Sequence, residues 1–152
     1  MVAKAYFDPE SSRYTEQRKS TSAKHRLDYH IVLRTKYRRG VLAGAVADKL
    51  LESTQEACAK HRVLLLGAAV RPEHVHLLLA LPPDVSVSDA VRSIKGMTAA
   101  QVRRACGIRP LWADGYYAET VGWKNPAQIK AYLERQDSHH AAAERKRPVR
   151  KT

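Results

Sequence analysis

An α+β fold, an antiparallel sheet of order β-α-β-β-α-β with its helices on one face, is predicted by three observations in this chain. Two long stretches carry an apolar stripe at helical spacing, and shorter apolar runs surround them at strand length. The two middle runs are separated only by Arg71-Pro72-Glu73, short enough for a hairpin, so they should pair antiparallel. The chain has 152 residues with 44% hydrophobic content, enough for one domain with a sizeable core and too little for two. This order is that of a ferredoxin-like, RRM-like split βαβ, which leaves the other sheet face free to work.

Residues 1–24 are polar and charged without a period and read as a tail. In LDYHIVLRT, Leu27, Tyr29, Ile31 and Leu33 share one face of a first strand, and His30 and Arg34 share the other. Residues 41–61 form a helix whose stripe holds Leu42, Val46, Leu50 and Ala57. The apolar strand VLLLGAAV and then HVHLLLAL follow, the latter sending Val75, Leu77, Leu79 and Leu81 to the core and His74 and His76 away from it. Residues 85–106 read as a second helix, with Ser86 or Ser88 as N-cap and Gly107 as terminator. GYYAETVG is a short strand, and NPAQIKAYLERQ is a last helix with Asn125 as N-cap, Pro126 at the first helical position and Gln128 closing a capping box. Residues 139–152 end in a dense basic run and read as a second tail, leaving 25–138 as the folded domain.

Composition narrows the partners. Twenty-seven Lys and Arg against fifteen Asp and Glu give a formal net charge of +12, an excess that favours a polyanion, with nucleic acid first. The two cysteines, Cys58 and Cys106, lie far apart inside predicted helices, so neither a disulfide framework nor a four-thiolate zinc site is available. That usage fits a reducing cytoplasm. No apolar run approaches membrane-spanning length, and the first residues contain no hydrophobic signal region. No Gly-rich phosphate-cradling loop is present, so no nucleotide cofactor is expected.

The pair His74 and His76 sits one residue apart in RPEHVHLLLALPP, on one face of a strand, where it could hold a metal ion or simply line a polar sheet edge. In the last helix Tyr132 and Gln136 lie at i and i+4 and project from one side. A phenol is mostly un-ionised at neutral pH and becomes a strong nucleophile only when a cation or base stabilises the phenolate. Two imidazoles and an amide oxygen, all neutral, would leave a divalent cation its full charge to polarise a phosphodiester.

The runs YHIVLRTKYR, RPEHVHLLL and GYYAETVGWKNPAQIKAYLERQ, in that order over about Leu27 to Gln136, resemble the HUH tyrosine transposases, called TnpA, of the smallest bacterial insertion sequences. The resemblance implies that His74, His76 and Gln136 bind a divalent metal, Mg2+ or Mn2+. It also implies that Tyr132 attacks single-stranded DNA to give a 5′-phosphotyrosine link and a free 3′-hydroxyl. A later 3′-hydroxyl would rejoin the DNA without ATP. It implies further a cytoplasmic, nucleoid-associated bacterial protein, a homodimer with active sites shared in trans, and recognition of hairpins at element ends. A domesticated relative acting on repeated palindromes of a host genome would share this chemistry. A noncatalytic RNA-binding ferredoxin-like module would explain fold and charge but not the His, Tyr and Gln pattern.

For DNA contact, Arg34, Lys36, Arg38 and Arg39 cluster around Tyr37 at the end of the first strand, a mixture suited to phosphates and a stacked base. Arg92, Lys95, Arg103 and Arg104 add charge along the second helix. Trp112, Tyr116, Tyr117 and Trp123 could stack on bases or fill the core, and at least two are expected in the core. The basic end, residues 145–151, should add salt-sensitive nonspecific affinity.

Overall fold

Strand-forming and helix-forming stretches alternate as the periodicity demands, and hydrogen bonding then assembles them into one main sheet. The computed structural model describes residues 4–7, 18–19, 23–122, 128 and 131–135. Strand β1 is Lys4–Phe7, β2 Arg18–Lys19, β3 Lys24–His25, β4 Asp28–Arg34, β5 Leu64–Val70, β6 His74–Ala80 and β7 Tyr117–Val121; helix α1 is Ala45–Lys60 and α2 Val87–Cys106. The main sheet has the order β1-β5-β6-β4-β7, with every neighbouring pair antiparallel. Its last four strands are the expected split βαβ, and the hairpin at Arg71-Pro72-Glu73 closes with the Arg71 N–H donating to the His74 carbonyl at 2.8 Å.

The sheet reaches into the segment expected to be a tail. Lys4–Phe7 pairs with β5 from Lys4↔Val70 to Phe7↔Gly67, while β2 and β3 form a separate two-stranded ribbon. Four residues are too few to display a period, and what holds β1 is a backbone ladder to an otherwise open edge, a non-local cause. The basic run from His139, with Trp123, Asn125, Pro126 and Gln136, lies outside the described residues.

Local chemistry accounts for the helix boundaries. Gly44 adopts φ 55°, ψ −128°, a conformation only glycine holds cheaply, and α1 therefore starts at Ala45 and not at Val41. Ser86 caps α2 by accepting the Asp89 N–H at 3.1 Å, and Gly107 ends it in the left-handed region at φ 72°. Both helices cover one sheet face and bury Ile31, Leu33, Leu50, Val75, Leu77, Leu79, Ile94 and Val102 in the larger core. Trp112 joins this core and donates its indole N–H to Thr98 Oγ1 at 2.9 Å, whereas Tyr116 and Tyr117 are exposed; of the four aromatics weighed, Trp112 alone is core among the described residues.

The opposite face is not free. A helical turn over residues 131–135 lies on it, and Leu133 is buried against Leu66, Ala69, Leu78 and Ala80, with Phe7 of β1 at the margin. A register shift between Leu65 and Gly67 leaves Leu66 as an extra residue in β5, so that Leu66 and the Cβ side of Gly67 both look toward Leu133. A Cβ on Gly67 would stand 3.1 Å from Leu133 Cδ1 and 3.3 Å from the Tyr6 carbonyl oxygen, so glycine here makes room for the helix.

Leu133 is therefore expected to control whether the terminal helix stays on the sheet. Leu133→Ala should remove part of the ~2–5 kcal/mol usual for a buried leucine. The helix should detach before the sheet unfolds. Hydrogen exchange should show faster exchange at residues 131–135 with β4 and β6 still protected.

Candidate active site

Strand register, rather than sequence proximity, gathers the polar groups on the terminal-helix face. Pairing sets Arg34 opposite His74, Val32 opposite His76 and His30 opposite Glu119. Directly opposed and diagonal residues on one face are within side-chain reach, so His30 meets Glu119 across one ladder and His76 across the other. Tyr132 arrives from above, on the helical turn that Leu133 anchors. Tyr132 lies at 5.4 Å between ring centroids from His30 of its own chain, edge to face.

His30 and His76 are both fully buried, so their ring nitrogens need partners. His30 Nε2 lies 2.9 Å from His76 Nδ1, and His30 Nδ1 lies 3.1 Å from Glu119 Oε1. His74 Nδ1 lies 3.1 Å from Glu73 Oε1, and His74 Nε2 faces His76 Nε2 at 3.1 Å. A consistent tautomer set follows from the two carboxylates, which accept only: His74 Nδ1–H donates to Glu73, His30 Nδ1–H to Glu119, and His76 Nδ1–H to His30 Nε2. The Nε2 atoms of His74 and His76 are then both unprotonated and directed at each other. Two lone pairs at that distance repel, and a cation bound by both nitrogens would remove the repulsion. Nitrogens bound at about 2.1 Å to one ion at right angles stand about 3 Å apart, so this pair fits two ligands of one metal. The hydrogen-bonded carboxylate and imidazole behind them are the kind of outer partners that fix ligand tautomers.

The Tyr132 hydroxyl donates to Glu119 Oε1 and also lies 3.3 Å from His30 Nδ1, while the Tyr117 hydroxyl donates to Glu119 Oε2 at 2.9 Å. Burial lowers the His30 pKa, and the adjoining Glu119 carboxylate only partly opposes it, so the ring is neutral. Burial pushes the Glu119 carboxyl up, but hydrogen bonds from Tyr132, His30 and Tyr117 together outweigh it and hold the group below the usual carboxylate range. Tyr132 is raised by burial and then by its bond and charge contact with Glu119, with Arg135 opposing. In this arrangement the phenol is a neutral donor and Glu119 an anionic acceptor.

The chain matches the family model described as "Transposase IS200 like" over residues 23–136. It belongs to the IS200-like transposase family. It is 33% identical over 128 residues to the ISDra2 transposase TnpA of Deinococcus radiodurans, covering 80% of this chain and 91% of that one. With the transposase for insertion sequence element IS200 of Salmonella typhimurium it shares 34% identity over 115 residues, 71% of this chain and 75% of the other. The crystal structure of a transposase of Deinococcus radiodurans R1 superposes with a TM-score of 0.66 at 32% identity, covering 78% of this chain and 97% of that one. A REP-associated tyrosine transposase bound to a REP hairpin shares the fold, with a TM-score of 0.52 at 20% identity over 68% of this chain and 62% of that one. This IS200-like transposase is thus of a family of enzymes that cut and transfer DNA strands, and the noncatalytic RNA-binding reading is set aside.

In this transposase His74 and His76 meet at 3.1 Å, and Tyr132 reaches His30, whose other ring nitrogen contacts His76; Gln136 lies outside the described residues. The structure adds His30 and Glu119, which sequence reasoning missed. Alternation puts His30 on the outer strand face and gives it no role there, because the β4–β7 register that joins it to Glu119 is non-local.

The basic residues divide by what they touch. Tyr37 is 77% exposed in a left-handed conformation at φ 60°, with Lys36 Nζ 5.6 Å from its ring centroid. Arg38 follows it, also at positive φ, and half-buried Arg34 ends β4. Arg39 donates to the Lys36 and Pro110 carbonyls, and Lys95 donates to the Ala113 and Gly115 carbonyls at 2.8 and 3.2 Å, so both tie loops to the scaffold. Arg92 is exposed beside Asp89. With Arg103, Arg109 and Tyr116, Arg92 and Lys95 line an open groove of about 770 Å3 between α2 and residues 109–116.

Because His30 has a folded-state pKa below its ordinary 6.5, the unfolded chain binds a proton that the folded chain refuses as pH drops below about 6.5. Stability should be full above that value and fall from there toward the lower folded-state pKa, by up to about 1.4 kcal/mol per pH unit for one proton. Glu119, held below 4.5, adds a second loss in stronger acid. Urea melts in chelator across this range should show the decline, with a shallower slope between pH 5 and 6.5 for His30→Gln.

Proposed function

We propose that this transposase cleaves and rejoins single-stranded DNA at hairpin-marked element ends through a 5′-phosphotyrosine intermediate, with Tyr132 as nucleophile. The observation that carries this reading is the seating of the Tyr132 hydroxyl among His30, Glu119 and the neighbouring histidine pair. Few structural roles need a tyrosine hydroxyl brought by a separate helix onto a buried histidine cluster. Tyr132 presents its oxygen from a turn that Leu133 anchors on a small apolar patch, and the helix would approach and leave the scissile phosphate. The attacking oxygen forms the bond to phosphorus as the 3′-oxygen departs, and the phosphodiester's energy is retained for rejoining.

His74 and His76, with Gln136 as third ligand, would hold a divalent ion, Mg2+ or Mn2+. Such an ion supplies polarisation of a phosphate oxygen and charge neutralisation. The chain's own part is to set the ligand tautomers through Glu73 and His30 and to exclude water beneath the helix. Arg34, Lys36, Tyr37, Arg38, Arg39, Arg92 and Lys95, on a chain of net charge +12, would draw and seat the DNA. We also assign a homodimer to the working state, with Tyr132 crossing to the partner's histidines. The cis seat next to its own His30 is then the resting position of the helix.

Tyr132→Phe is expected to keep its fold and its affinity for a single-stranded hairpin while strand cleavage and the covalent protein–DNA adduct fall to background, since only the attacking oxygen is removed. Gels run under denaturing conditions measure the adduct, and cleavage by the variant at the parent's rate would sink the assignment. Independently, calorimetric titration with Mn2+ should give one site per chain in the parent and about tenfold to hundredfold weaker binding in His74→Ala, the scale on which even indirect disturbance of a metal site is felt. Equal heats from both proteins would remove the metal from this pair.

A further inference from the structure

We propose that Glu119 is the general base for Tyr132, accepting the phenolic proton on Oε1 as the tyrosine attacks, with His30 as the residue that positions it. This deepens the proposed function and rests on Tyr132 being the nucleophile. The first ground is geometric. Glu119 Oε1 accepts the hydrogen bond of the very oxygen that would attack, so proton and acceptor are already aligned.

The second ground is the carboxylate's surroundings. Three groups from three elements converge on it: His30 Nδ1 from β4 at 3.1 Å, the Tyr117 hydroxyl from β7 at 2.9 Å, and Tyr132 from the terminal helix. Among the described residues, Arg135 of that helix favours a phenolate at Tyr132. Donors on both oxygens favour an anionic acceptor that is half-buried and cannot swing away without breaking them. His30 is itself pinned by His76, so the relay ties the base to the histidine pair: a shift at His76 is passed to Glu119 through one ring. The same pair forms between chains if the terminal helix crosses to a partner with its local contacts kept.

The protons balance. Before attack, transfer from a phenol to an ordinary carboxylate is strongly uphill. It becomes favourable only as the phosphorus–oxygen bond grows and the tyrosyl oxygen loses basicity, so transfer accompanies attack. The O–H bond of Tyr132 breaks, the O–P bond forms, the P–O3′ bond breaks, and the proton goes to Glu119. The departing 3′-oxygen takes a proton from water, and Glu119 returns its own to the solvent. In the rejoining direction the sequence runs backwards and a protonated Glu119 restores the phenol.

The test uses the full chain, Mn2+ and single-stranded oligonucleotides bearing the imperfect hairpins of the DNA that flanks the gene. Glu119→Gln should lower the rate of adduct formation by about 10²–10⁴, the usual worth of a general base, with hairpin affinity and Mn2+ binding unchanged. Formate should restore part of the activity of Glu119→Ala, which a purely structural carboxylate would not permit. His30→Gln should give a smaller loss that formate does not repair. Tyr132→Phe is run beside them. If Glu119→Gln reacts within about threefold of the parent while Tyr132→Phe is blocked, the base assignment falls and the nucleophile stands. Adduct from Tyr132→Phe overturns both. Should Glu119→Ala unfold, Glu119→Asp decides: a rate cut at least about tenfold at unchanged hairpin affinity supports the proposal, and an unchanged rate overturns it.

Discussion

A histidine with no access to water must have both ring nitrogens satisfied from within the protein, and in this transposase that demand falls on His30. Its two partners, His76 and Glu119, stand on the strands to either side, so the demand is met only if β6, β4 and β7 keep their register. The rest of the site descends from this. The bond from His76 Nδ1 leaves His76 Nε2 facing His74, the bond to Glu119 aims a carboxylate at Tyr132, and a one-residue slip of β7 would turn Glu119 to the opposite face. A buried polar network of this type contributes little net stability, but a half-formed one is costly, so it selects one register over its neighbours.

The two faces of the sheet carry unequal cores. On one side α1 and α2 bury the large cluster that makes the fold; on the other, Leu133 sits in a small patch of Leu66, Ala69, Leu78 and Ala80. Among the described residues the terminal helix rests on this small patch through Leu133 and Tyr132, and an element so held opens at lower cost than the scaffold. That inequality suits the proposed nucleophile, because His74 and His76 stay on the central strand β6 while Tyr132 rides on the weaker element. Gly67 and the extra residue Leu66 in β5 belong to the same design, since they shape the surface on which the helix rests.

The excess of positive charge is arranged with some economy. Arg39 and Lys95 donate to loop carbonyls and so order the segments 36–39 and 109–116, while Tyr37 stands out into solvent on a left-handed turn with Lys36 against its ring. Exposed aromatic and cationic groups on ordered loops present a stacking surface and phosphate contacts at little cost in entropy. Both loops adjoin the end of β4, where Thr35 pairs with Trp112. The same short region therefore links the exposed aromatic and basic groups to the strand that carries His30.

What the sequence determined by itself is whatever depends on neighbours along the chain. Alternation assigned Val75, Leu77, Leu79 and Leu81 to one face and His74 and His76 to the other, and Ser86 and Gly107 marked the ends of α2. The i, i+4 spacing and the motif order singled out Tyr132 and the histidine pair. Tertiary structure alone decided the rest. Lys4–Phe7 became a strand because β5 offered an unpaired edge, and the second face became a covered one because Leu133 found a patch assembled from β5 and β6. His30 and Glu119 stand 89 residues apart in the chain and became neighbours only through the β4–β7 ladder. Periodicity is a local property that reports which way a side chain points. Which partner it meets depends on strand order and register, and those are settled by the whole chain burying its apolar surface and pairing its backbone at once.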